Sequence, residues 1–146
     1  MSWFTPPLPV GTPAPDFSVP DQDGSRVTLS ALRGKNVVLV FYPADDTSVC
    51  TKQLCEFRDH WTGLLARNAV VFGVNPARSR AHQKFREKYK FPFPLLIDQG
   101  QKIAKLYSAD GWMAPKRTVY LIGPDGAIRY ARRGKPSPQE VLASAA

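Results

Sequence analysis

Six consecutive apolar residues, Val37-Val38-Leu39-Val40-Phe41-Tyr42, constrain this chain more than any other segment. The run is rich in β-branched side chains and does not alternate with polar residues. That is the pattern of a central strand buried on both faces. It is far shorter than a membrane span, and no stretch of the chain approaches that length.

The remaining segments supply what can cover such a strand. Residues 1–16 carry five of the fourteen prolines and read as an extended lead-in. Asp16-Phe17-Ser18-Val19-Pro20 and Arg26-Val27-Thr28-Leu29 read as strands of a hairpin about the turn Asp21-Gln22-Asp23-Gly24-Ser25. Ser30 can cap a short turn that Gly34 ends. After the central run, Thr47 or Ser48 can start a helix reaching to about Arg67. Its apolar positions Leu54, Phe57, Trp61, Leu64 and Leu65 recur at spacings of three and four. Ala69 to Val74 is a second buried strand, and Ser79 opens a helix carrying Phe85 and Tyr89. Leu95 to Asp98 is a short strand, with a brief helix ending at Tyr107. Thr118–Ile122 and Ala127–Tyr130 flank the hairpin turn Gly123-Pro124-Asp125-Gly126, and Ser137 or Pro138 opens a last helix. This order predicts an α/β fold of thioredoxin-like type, with a central mixed β-sheet flanked by helices and an N-terminal β-hairpin. With 146 residues and no internal repeat or linker, residues 1–146 are expected to form a single domain.

The formal charge is +8, but the basic residues are scattered, and no nucleic-acid motif accompanies the denser patches Lys84–Lys90 and Arg129–Lys135. A solvated basic face, suited to an acidic protein partner, is the simpler reading. The N-terminus has neither a basic nor an apolar signal region, so a cytoplasmic location is expected. In that compartment disulfides are rare and mostly catalytic.

The chain has two cysteines, Cys50 and Cys55, both on the helix after the central strand. A cysteine in a first helical turn faces unpaired backbone N–H groups and the positive end of the helix dipole. Both favour the thiolate, the attacking form. Chemistry at Cys50 is therefore the leading functional expectation. Two inert core thiols are the plain alternative. Zinc ligation lacks the His or Cys pair that would complete four ligands, and the spacing excludes a C-x-x-C pair.

Pro43, Thr47 and Cys50 form Pro-x-x-x-Thr-x-x-Cys, which resembles the peroxiredoxin active-site motif. Cys55 five residues on makes the chain similar to the bacterioferritin comigratory protein, or peroxiredoxin Q, subfamily. Gly11–Phe17, Leu32–Leu39, Ala81–Phe85 and Arg117–Ile122 fall where that family's other motifs do. The chain departs from the family in Ser48-Val49, where Pro-Gly is usual, and in Tyr107–Trp112.

The resemblance implies a thiol peroxidase acting on hydrogen peroxide and organic hydroperoxides, with Cys50 as attacking and Cys55 as resolving cysteine. It implies a monomer needing no metal, haem or flavin, recycled by a thioredoxin-like dithiol protein; the scattered charge and the lack of a long apolar stretch add the expectation of no nucleic-acid or membrane partner. Arg117 maps onto the active-site arginine. Its guanidinium can donate to the thiolate and to the departing oxygen at once. The Thr47 hydroxyl can both donate and accept, which suits a peroxide oxygen. Backbone N–H groups near Cys50 add donors. Pro43 is expected to shield the sulfur, and Gln53 to orient Arg117.

Attack leaves a sulfenic acid that Cys55 converts to a disulfide. Residues five apart on a regular helix have Cα atoms about 8–9 Å apart. A disulfide needs roughly 4.4–6.8 Å. The helix start must therefore unravel in each cycle, and amide exchange across residues 48–56 is expected to rise on oxidation. The rival reading is a thioredoxin-fold thiol–disulfide oxidoreductase acting on protein disulfides, which needs neither Thr47 nor Arg117. Asp45 and Asp46 are expected to be loop and helix-start charges rather than catalytic acids, His60 and His82 helix-surface residues, and Trp61, Phe57 and Phe85 core; Trp112 is a lesser candidate for lining the pocket.

Overall fold

The computed structural model describes residues 5–146, so the first four residues of the expected extended lead-in lie outside the described residues. The central run forms β3 (Asn36–Phe41), buried along its whole length. Its side chains part by period two. Val38, Val40 and Tyr42 enter one apolar cluster with Leu54, Phe57, Phe85 and Val119. Val37, Leu39 and Phe41 enter another with Phe17, Ile103, Tyr107 and Tyr120 on the opposite face.

Before β3, the strands β1 (Ser18–Pro20) and β2 (Arg26–Thr28) pair antiparallel, with Val19 opposite Val27. The Asp21 carboxylate holds their turn by accepting the N–H groups of Asp23 at 2.9 Å and Ser25 at 3.0 Å. After β3 come α1 (Ser48–Asp59), α2 (Trp61–Ala66), β4 (Ala69–Asn75), α3 (Ser79–Tyr89), β5 (Leu95–Ile97) and α4 (Lys102–Leu106). The chain closes with β6 (Thr118–Ile122), β7 (Ile128–Arg133) and α5 (Pro138–Leu142). The main sheet runs β5-β4-β3-β6-β7. β3, β4 and β5 are parallel neighbours, and β6 and β7 join antiparallel. This is the mixed, thioredoxin-like sheet that the element order predicts.

The helix expected to reach Arg67 is two helices. The break is at His60, whose backbone leaves helical geometry at φ −101° and ψ 17°. Its Nδ1 donates to the Glu56 carbonyl at 2.9 Å, and its Nε2 accepts from the Gln139 amide of α5. Held on both sides, the ring fixes the bend. Beyond it Leu64 still reaches the core, but Leu65 turns outward and is exposed.

The parallel half of the sheet requires one glycine. A Cβ at Gly73 on β4 would lie 2.7 Å from Leu95 and 3.0 Å from the ring of Tyr42. Its absence lets the Tyr42 ring approach β4 closely, fully buried beside Phe85. At the other end, Ser137 caps α5 by accepting the Glu140 N–H at 3.1 Å, with Pro138 in the first turn.

Candidate active site

Cys50 sits in the first turn of α1, and its residue is almost fully buried. The first intrahelical bond runs from the Thr51 N–H to the Thr47 carbonyl at 2.8 Å. The N–H groups of Ser48, Val49 and Cys50 therefore have no helical acceptor and lie at the positive end of the dipole. The thiol reaches this position because Cys50, Gln53, Leu54 and Phe57 form the buried face of α1, at spacings of three and four.

Arg117 comes to the same place from 67 residues away, just ahead of β6. Its Nη2 donates to Cys50 Sγ at 3.2 Å, and its Nη1 donates to Gln53 Oε1 at 2.9 Å. Gln53 is anchored in turn by donating to the Gly134 carbonyl at 3.3 Å, while the Gly134 N–H donates to the Arg117 carbonyl at 2.8 Å. Thr118 pairs with Arg133 in the β6–β7 ladder, and this last bond carries that pairing one step further. The guanidinium is thus fixed by its backbone, by Gln53 and by the sulfur. Cys50, Gln53 and Arg117 are brought together by these bonds.

The other expected site residues make different contacts. Thr47 is at the N-cap of α1 with an extended backbone, exposed, its hydroxyl donating to the Ala44 carbonyl at 3.1 Å. It does not cap the helix with its side chain. Pro43 is half-buried at the start of the same loop. Cys55 is half-buried against the core, and burial pushes its thiol above the usual range. Both cysteines are free thiols within one unbroken helix.

Three expectations need correction. Trp112 does not wall the site: it is 88% exposed. Gly111 is anchored to the Gln101 side chain through both its N–H, at 3.0 Å, and its carbonyl, at 3.1 Å, and the turn that follows presents Trp112 to solvent. His82 is not a surface residue either: it is completely buried. Its Nδ1 donates to Asp45 Oδ2 at 2.6 Å and its Nε2 donates to the Leu96 carbonyl at 2.8 Å. Asp45 is likewise no free loop charge. Its Oδ1 also accepts the Tyr42 hydroxyl at 2.6 Å and the Asn75 amide at 3.0 Å. Desolvation first, and then the Asp45 charge, hold the Tyr42 phenol far above its ordinary range, so it stays a donor. The signal for His82 lay in the sequence: it precedes Phe85 by one turn, on the core face of α3.

A thioredoxin-like sheet carrying a buried helix-start thiol beneath a clamped arginine defines a class of thiol-bearing proteins, and comparison with known proteins narrows it. The family model described as AhpC/TSA family matches residues 10–131. Peroxiredoxin Q, chloroplastic, of Oryza sativa subsp. japonica is 38% identical over 133 residues, covering 89% of this chain and 61% of that protein. A protein assigned as peroxiredoxin bcp in Coxiella burnetii is 38% identical over 129 residues, covering 83% of this chain and 85% of its own length. The crystal structure of peroxidoxin BcpB from Mycobacterium tuberculosis superposes with a TM-score of 0.88 at 32% identity, covering 94% of this chain and 96% of that one. The chain belongs to the AhpC/TSA family, on its peroxiredoxin Q and bcp branch. It spans about three fifths of the rice relative's length, 61%.

Proposed function

We propose that the chain is a thiol-dependent peroxidase that reduces hydrogen peroxide and organic hydroperoxides, with Cys50 as its nucleophile. The observation that carries this reading is the 3.2 Å hydrogen bond from Arg117 to Cys50 Sγ, made by a guanidinium that Gln53 holds in place. The sulfur attacks one peroxide oxygen and the O–O bond breaks. Cys50 becomes a sulfenic acid, and the other oxygen leaves with a proton as water or an alcohol. Arg117 and the free N–H groups at the start of α1 face the charge that develops on the leaving oxygen. The Thr47 hydroxyl exchanges its bond to Ala44 for one to the peroxide, and Pro43 limits access of water to the sulfur.

Cys55 then condenses with the sulfenic acid, releasing water and forming the Cys50–Cys55 disulfide. A thioredoxin-like dithiol protein reduces that disulfide, and the positive net charge suits an acidic donor. Residues 1–146 act as a single domain and as a monomer in the cytoplasm, without a nucleic-acid or membrane partner. Among the described residues no helix is long and apolar enough to cross a membrane.

One observation favours a second route. The helix α1 runs unbroken from Ser48 to Asp59 and keeps the two thiols apart. If it does not open, an outside thiol reduces the Cys50 sulfenate directly. Mass spectrometry of peroxide-treated protein separates the routes, as an internal disulfide or as a trapped sulfenate. Peroxide consumption by the reduced protein, abolished in Cys50→Ser, tests the reading itself. A wild type that oxidises protein dithiols but consumes no peroxide is the rival oxidoreductase.

A further inference from the structure

We propose that Asp45 and His82 are positioning residues: His82 on α3 pins the Asp45 carboxylate, and this fixes the Pro43–Thr47 loop so that Thr47 and Cys50 meet the peroxide together. The inference rests on the peroxidase reading above.

The loop between β3 and α1 carries two successive carboxylates, and both are tied to α3. Asp45 is inside: its side chain is 8% exposed and that of His82 is 0% exposed. Its two oxygens take three donors, from Tyr42 at the end of β3, Asn75 at the end of β4 and His82. The second nitrogen of His82 reaches the Leu96 carbonyl on β5. Three elements thus converge on one carboxylate within the Pro-x-x-x-Thr-x-x-Cys segment, and His82 links it to a fourth, β5. Both ring nitrogens of His82 thus have an oxygen partner, one on the loop and one on the sheet.

Asp46 is outside. Its carboxylate accepts from Lys88 at 2.9 Å and from the Tyr89 hydroxyl at 3.0 Å. Its backbone is left-handed, at φ 56°, which a residue with a side chain adopts at a cost unless its surroundings impose it. Thr47 follows directly in extended conformation and is the N-cap of α1. The direction of the Thr47 side chain therefore depends on the left-handed turn at Asp46, and that turn depends on the anchor at Asp45.

Stability alone does not account for the cluster. Buried polar and ionic groups are commonly no more stabilising than apolar residues of the same volume. What it does supply is a fixed geometry, and here the geometry belongs to the segment between the strand end and the reactive thiol. Displacement of a reacting group by about 1 Å is enough to slow a reaction by about a hundredfold.

The test uses the full chain with Cys55→Ser, so that Cys50 is its single thiol. The amide nitrogen of asparagine reproduces the Nδ1 donor of histidine, and that of glutamine the Nε2 donor. His82→Asn therefore keeps the bond to Asp45, and His82→Gln loses it while keeping the bond to Leu96. Both remove the same ring from the same buried place. Stopped-flow reaction with hydrogen peroxide is expected to be slowed about tenfold to a hundredfold in His82→Gln and within about threefold of the parent in His82→Asn. Alkylation of Cys50 by iodoacetamide, which needs no peroxide site, should stay within about twofold in both. Adding Thr47→Val to His82→Gln should slow it no further than Thr47→Val alone, because the two act through one group. Equal peroxide rates for the two His82 variants, or effects that multiply with Thr47→Val, overturn the inference alone. A parent no faster than free cysteine overturns the peroxidase reading and this inference with it. If the His82 variants do not fold, Asp45→Asn serves: a slowing of tenfold or more with unchanged alkylation supports the proposal, and a peroxide rate within twofold of the parent overturns it.

Discussion

Resolution by Cys55 requires α1 to open, and Leu54 is the side chain that most directly opposes opening. It lies between the two thiols in the chain and is fully buried in the cluster that covers β3. Exposing a buried leucine costs about 1.5–3 kcal/mol. Leu54→Ala removes most of that cost from the opened state. Each 1.4 kcal/mol is about a factor of ten, so the step that follows sulfenate formation should accelerate by about tenfold to a hundredfold. The sulfenate-forming step uses the closed helix and should change little. The native state should lose about 2–5 kcal/mol, because a cavity replaces the side chain. Stopped-flow tryptophan fluorescence after mixing with hydrogen peroxide resolves the two steps: the first depends on peroxide concentration and the second does not. Trp61, packed against Phe93 in the same cluster, is placed to report the opening. A second phase unchanged or slower in Leu54→Ala, with the variant folded, refutes the idea that Leu54 leaves the core during resolution.

Further consequences concern Arg117, Cys55 and the outer clamp. Arg117→Met should slow peroxide attack by about a hundredfold to a thousandfold, the usual effect of losing a donor to developing charge. Arg117→Lys should restore little, since an ammonium lacks the fork that spans Cys50 and Gln53; full recovery in the lysine variant would contradict this. Burial raises the Cys55 thiol above its ordinary range, so in Cys50→Ser its alkylation at neutral pH should be slower than that of free cysteine and still climbing at the pH where free cysteine levels off. An alkylation profile matching free cysteine would exclude that burial. Hydrogen bonds from Lys88 and Tyr89 hold the Asp46 carboxyl below the usual range. A carboxyl depressed in the folded state contributes stability above its unfolded value, near 3.9, and loses it as pH falls through the folded value. The difference in urea midpoint between wild type and Lys88→Met should therefore shrink on going from pH 7 to about pH 3, and a difference that persists there would contradict the link.

Much of this molecule is legible in its sequence because burial leaves a period. β3 reads as a two-faced strand because residues 37, 39 and 41 have one apolar cluster to enter and residues 38, 40 and 42 another. Cys50 and Arg117 can be paired on paper only because the family resemblance maps an active-site arginine onto Arg117. The bend at His60 is less visible: Trp61, Leu64 and Leu65 continue the helical spacing, and the bend is imposed by a bond from α5, far along the chain. His82 is misread for a related reason. A polar ring on the core face looks like a surface residue until its partner is known, and the partner is a carboxylate on a loop that itself reads as wet. Pattern places each residue singly; the buried pair exists only when β3, β4, α3 and β5 meet. Trp112 fails in the opposite direction, as a large apolar residue that the turn after Gly111 sends to solvent.

The most direct test of the account is the second-order rate of the fully reduced protein with hydrogen peroxide, measured beside free cysteine at the same pH. On the proposed reading, a thiol held by Arg117 at the start of α1 should react orders of magnitude faster than free cysteine, and Cys50→Ser should abolish the reaction. A rate equal to that of free cysteine would mean that the guanidinium over the sulfur serves some other purpose.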